Sequence, residues 1–208
     1  MTRHHLIWIA LAGLYAAFFM WHQPLKGPLT QDEVESYLQQ RSDGLVPDAA
    51  SDQAFRSFLE TDDGRPFFMV NLIELKPEAA YPEDYATDIT SAADADMEYG
   101  RNVVQLLIRR GSYPLLQLTP HTVLLDSVGG QANQFEHAVV VRYRSRRDLM
   151  DMVTSDAFKA AEVHKWASVE RTLVAPSASM GATPLGVIVP FVLLLSGFVL
   201  TRRRRLFD

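Results

Sequence analysis

Uncharged apolar runs bracket this chain, and between them the spacing of hydrophobic positions alternates between helical and strand-like periods. Leu6 to Trp21 carries no charge, and neither does Thr172 to Thr201, whose most apolar part is Pro184 to Leu200. About 20 apolar residues suffice to cross a bilayer as a helix, so each end predicts a transmembrane helix. Inside the brackets, Thr30-Gln-Asp-Glu33 has the form of a capping box, in which threonine and glutamate each satisfy the other's backbone amide. A helix to about Gln40 follows, then a break at Gly44 and Pro47, then a second helix from about Ser51 to Glu60 that stops at Asp62-Asp-Gly64.

Beyond Pro66 the pattern changes. Phe67 to Leu75 is rich in strand formers and bounded by prolines. After a polar connection from Pro82 to Ser91, a helix fits Ala92 to Arg110, with Met97, Gly100, Val104, Leu107 and Ile108 in one stripe. Gly111 is a natural C-terminal stop. Tyr113 to Thr119 and Thr122 to Val128 read as extended, with Gly129-Gly130 as a turn. Phe135 to Tyr143, centred on Val139-Val-Val141, is the strongest strand signal. Ser145 opens a helix that Thr154-Ser-Asp156 interrupts and that resumes to about Glu170, and Thr172 to Ala175 is a last short strand.

The order β-α-β-β-α-β predicts an α+β, ferredoxin-like sheet with two helices on one face. Its other face is left bare in a monomer, which predicts a homodimer through that face. The chain then divides into an N-terminal anchor (1–22), a helical neck (23–64), the sheet domain (65–177), a linker with the second span (178–201) and a basic tail (202–208).

Flanking charge sets the expected orientation. Arg202 to Arg205 resist translocation, and Arg3 favours a cytoplasmic start, although Lys26 opposes it. The expectation is a plasma-membrane protein with both termini cytoplasmic and the central domain outside. The first run also fits a signal peptide, but Phe18-Phe-Met-Trp-His-Gln-Pro24 offers no small-x-small cleavage site. The whole chain has 20 basic and 25 acidic side chains. Setting aside Arg3, Arg202 to Arg205 and Asp208 leaves 15 against 24, a net −9 between the spans. Such a domain repels nucleic acid. With no cysteine, disulfides and thiolate metal sites are excluded.

Several segments of the middle region together resemble the dimeric α/β-barrel superfamily, and within it a branch of unknown function. They are Pro66-Phe-Phe-Met-Val-Asn-Leu72, Tyr81-Pro-Glu-Asp-Tyr85, Arg110-Gly111, Val140 to Leu149, Met152 to Phe158 and His164-Lys-Trp-Ala167. The resemblance spans about residues 64 to 177 and implies the same fold and a dimer. That fold hosts monooxygenases, isomerases, haem proteins and proteins without known activity, so it does not choose a reaction.

Candidate chemistry is sparse. His164, expected on a face with Ala157, Ala160, Ala161 and Ala167, is either a general base or axial ligand, or a hydrogen-bonded core histidine. Asn71 shares the parity of Phe67, Met69 and Ile73, and a polar amide in such a row needs partners. It either holds a ligand or ties down a loop. Arg142, Tyr143 and Arg101 could present cations and a phenol to an acidic small molecule, or sit solvated and paired. His121 and His137 lack a metal-ligand spacing, and no metal or cofactor is expected. Asp84, Asp88, Asp94, Asp96 and Glu98 read as a solvated helix start. Two functional readings follow. One is a membrane-anchored small-ligand-binding or interaction domain. The other is an enzyme of monooxygenase or isomerase type that uses His164 with Asn71 and Arg142.

Overall fold

The computed structural model describes residues 2–40, 49–121, 135–178 and 183–202. Among these lie seven helices and four strands, divided between two compact units. The first unit comprises Met1–Leu25 and Ser179–Asp208. It contains α1 (Arg3–His22) and α7 (Pro184–Arg202), both long and apolar enough to cross a membrane. Their faces match closely: the Trp8 ring fills the space at Gly197, where an added Cβ would lie 2.3 Å from it, and Trp8 meets Phe198 edge-on at 6.0 Å. A small residue lets two apolar helices approach where no aqueous driving force joins them. His22 is buried in this unit, stacked on Phe18 at 4.9 Å and within 3.3 Å of the Thr183 hydroxyl.

The second unit, Lys26–Ala178, holds α2 (Gln31–Gln40), α3 (Ala49–Glu60), β1 (Phe67–Leu75), α4 (Ala92–Arg109), β2 (Tyr113–Leu118), β3 (His137–Tyr143), α5 (Arg146–Val153), α6 (Asp156–Ser168) and β4 (Val169–Ser177). The sheet runs β2-β3-β1-β4 and every neighbouring pair is antiparallel. Its centre is the pair predicted best from sequence, with Val70 opposite Val140. The extended piece expected at Thr122 to Val128, the turn at Gly129-Gly130, the break at Gly44 and Pro47 and the arginines from 203 onward lie outside the described residues. Both edge strands carry proline: Pro114 in β2, beside a register shift, and Pro176 in β4.

The capping box forms as its residues predict, with the Thr30 amide donating to Glu33 at 2.8 Å and the Glu33 amide to Thr30 Oγ1 at 3.3 Å. Helix α4 ends in a Schellman arrangement: Ser112 N–H donates to Leu107 C=O, Gly111 N–H to Ile108 C=O, and Gly111 takes φ +68°. Two sequence expectations need correction. The buried stripe of α4 is Ala92, Ala95, Val103, Leu106 and Leu107, while Met97 and Ile108 are about half exposed. Small alanines and half-buried Tyr99 carry the inward face, so hydrophobicity alone rotates the stripe. Helix α6 also stops at Ser168, and Val169 and Glu170, expected to be helical, belong to β4, with Val169 opposite Leu75 of β1.

The two neck helices are fastened to the sheet domain by consecutive arginines at the start of α5. Arg147 ion-pairs with Glu33 and donates to the carbonyls of Gly27 and Pro28. Arg146 donates to the Phe58 carbonyl and lies 3.5 Å from Asp62, with its guanidinium 4.5 Å over the Phe58 ring. Asp62 itself accepts from the amides of Leu29 and Gly64. Gly64 sits at φ +70°, and a Cβ there would come within 2.9 Å of the Pro28 nitrogen. Only glycine meets both demands without strain.

Candidate functional site

The alternation of β1 sends Phe67, Met69 and Asn71 to the face that also carries Val141 and Tyr143 of β3 and Thr172 and Val174 of β4. Helices α3, α5 and α6 cover that face without filling it. A cavity of about 490 Å³ remains, within the range of small-molecule sites. Its walls are mostly apolar: Phe55 and Phe58 of α3, Leu149, Met152 and Val153 of α5, and Phe158 of α6, against Met69 and Val174 of the sheet. Five polar side chains interrupt them, Ser51, Asn71, Tyr143, Lys165 and Thr172, and Ala54, Tyr99, Trp166 and Pro176 complete the lining.

Each polar group is placed by its element. Asn71 donates its amide to the carbonyls of Met69 at 3.2 Å and Val139 at 3.3 Å, which leaves Oδ1 as its acceptor. Thr172 donates to the Leu72 carbonyl at 3.1 Å. Tyr143 is buried and stacked on Phe67 at 5.2 Å, and burial pushes its phenol well above the usual range. Lys165 projects from α6 in series with Phe158, Ala161 and Ser168, the helix positions that turn inward. Its ammonium stands over two aromatic rings, 5.7 Å from the centroid of Tyr99 and 5.1 Å from that of Trp166. Among the described residues it has no hydrogen-bond partner and no carboxylate at ion-pair distance. Burial lowers its pKa, which Glu162 and then Asp96 partly oppose.

The residues predicted from sequence are distributed over four places. Asn71 and Tyr143 line the cavity together. Arg142, one position from Tyr143, points to the opposite face, where it is buried, donates to the Gly111 carbonyl at 3.0 Å and lies over the Tyr113 ring. Arg101 is on the outside of α4, 3.4 Å from Glu98. His164 does not line the cavity: its Nδ1 lies 2.8 Å from the Tyr81 hydroxyl and its Nε2 3.4 Å from that of Tyr85, and the two phenol rings stack at 5.1 Å. Of the expected alanine face, Ala161 and Ala167 are buried, but Ala157 and Ala160 are exposed and Phe158 turns inward instead. Of the acidic group, Asp96 departs from a solvated role: it is partly buried, 3.9 Å from His137, and burial raises its carboxyl. Lys165 and Trp166 line the cavity without having been named from sequence, although the spacing Phe158, Ala161, Lys165, Ser168 carries the signal for Lys165.

Among solved structures, the chain is similar to RPA0582, a protein of unknown function from Rhodopseudomonas palustris, with a TM-score of 0.55 and 27% identity over 62% of this chain and 94% of that one. A structure of methylated RPA0582 matches with the same TM-score at 25% identity, over 62% of this chain and 91% of that one. No family model matches the chain, and no curated protein matches it.

Proposed function

We propose that this is a membrane-anchored protein whose central domain is a ferredoxin-like, dimeric α/β-barrel module that holds a small organic ligand between its sheet and helices. The cavity carries this reading: an apolar chamber of about 490 Å³ into which a few convergent polar groups point is the usual form of a small-molecule site. The sheet order β2-β3-β1-β4, with two crossover connections, supports the ferredoxin-like assignment. The lengths and compositions of α1 and α7 support the anchors, and the arginines after α7 favour a cytoplasmic C-terminus with the domain on the far side. The enzyme reading has less support, because His164, Asn71 and Arg142 occupy three separate environments.

Native mass spectrometry of the detergent-extracted full chain tests the ligand reading. The wild type should emerge with a small-molecule adduct, and Val174→Trp, which fills the cavity from the edge strand, should emerge without it. A bare polypeptide mass from the wild type would overturn the reading.

A further inference from the structure

The cavity is apolar on nearly every side, yet one side chain that reaches it is a lysine. An ammonium taken from water into such surroundings costs several kcal/mol unless something compensates. Here the compensation is partial. The faces of Tyr99 and Trp166 lie 5.7 and 5.1 Å from Nζ, and a cation over an aromatic face recovers only about 0.5–2 kcal/mol. Glu162 and Asp96 act on the ammonium from beyond ion-pair distance. The Tyr143 hydroxyl, on the same cavity wall, likewise lacks a hydrogen-bond partner among the described residues. Two donors therefore meet a largely apolar cavity whose lining holds no carboxylate.

We propose that the cavity takes a small organic acid, a monocarboxylate with an apolar body, whose carboxylate is received by the Lys165 ammonium and the Tyr143 hydroxyl. This rests on the ligand-binding reading and specifies its chemistry. The apolar body lies against Phe55, Phe58, Met69 and Met152. Asn71 offers an acceptor oxygen, which suits a second, hydroxyl-bearing position on the ligand and not its carboxylate. A carboxylate is favoured over a larger anion because a cavity of about 490 Å³ leaves most of its space to the apolar part. Lys165 is the one cationic residue of the lining, so a single ligand charge is matched and a dianion would leave its second charge uncompensated.

The test uses the full chain in lipid nanodiscs, with empty nanodiscs as blanks, titrated calorimetrically with octanoate and 4-phenylbutyrate and with their neutral amides. The wild type should bind at least one acid tenfold or more tighter than its amide. Lys165→Met, which keeps length and loses charge, should abolish that preference. The acid-to-amide ratio of the wild type decides the matter even if the variant misfolds. Equal binding of acids and amides would overturn the organic-acid assignment and leave the ligand-binding cavity standing. If neither acids nor amides bind, both readings fall.

Discussion

At the scale of single residues, Lys165 is the side chain with the clearest energetic signature. Its folded-state pKa is lowered by burial, so between that value and the ordinary lysine value the unfolded chain holds more protons than the folded one. Stability must therefore rise with pH across that interval. Thermal melts of the wild type and Lys165→Met should converge as pH is raised toward 10, with the variant the more stable at pH 7. A parallel pair of curves would contradict this. Gly64 provides a second test, since its φ of +70° and the Pro28 backbone 2.9 Å from a built Cβ penalise any side chain. Gly64→Ala should destabilise the domain by about 1–3 kcal/mol, measured by denaturant unfolding. Legibility at this scale was uneven. Asn71 is legible because strand parity is a strict two-residue rule and a polar residue on an apolar row stands out, and Tyr143 because it ends the strongest strand signal. Lys165 was overlooked because a charged residue in an amphipathic helix normally marks the solvent side, and its neighbour His164 drew the attention.

At the scale of elements, local signals were followed closely by the chain. The Thr30 capping box, the Gly111 stop, the Ser145 cap and the break between α5 and α6 all lie where the sequence places them, and Ser155 within that break caps α6. What sequence could not convey is which elements clasp one another across distance. The neck is a case in point, because nothing in the spacing of Glu33 and Arg147 announces that they meet. That clasp has a measurable pH dependence. Hydrogen bonding from the Thr30 amide, followed by the Arg147 guanidinium, holds the Glu33 carboxyl below its usual range. Its contribution is thus complete above the ordinary carboxylate value and is lost as pH falls through the lowered one. Arg147→Ala, which also deserts the Gly27 and Pro28 carbonyls, should cost about 2–3 kcal/mol and speed proteolysis within residues 26–64. An unchanged cleavage rate would show that the neck is held by its apolar contacts alone.

For the whole molecule, the face of the sheet opposite the helices is the governing feature. Phe68, Val70 and Leu72 of β1 share that face with Val140, Leu173 and Ala175, and Leu116, Leu118 and Leu173 are about half exposed. If a second copy covers it, as proposed, Leu173→Glu should shift the detergent-solubilised chain from dimer to monomer in light scattering. A wild-type monomer would remove the dimer altogether. The bilayer orientation is equally testable: a reporter inserted at Gly130 should report the extracytoplasmic side, and a cytoplasmic signal would reverse the assignment.

The prolines of the two outermost strands bear on how such molecules could gather. Pro114 and Pro176 each delete a main-chain donor from a border where a foreign strand would otherwise hydrogen-bond. Were such chains crowded on one lipid surface, as proposed, these prolines would oppose rim-to-rim growth, and the proposed broadside pair would consume its own apolar surface and end there.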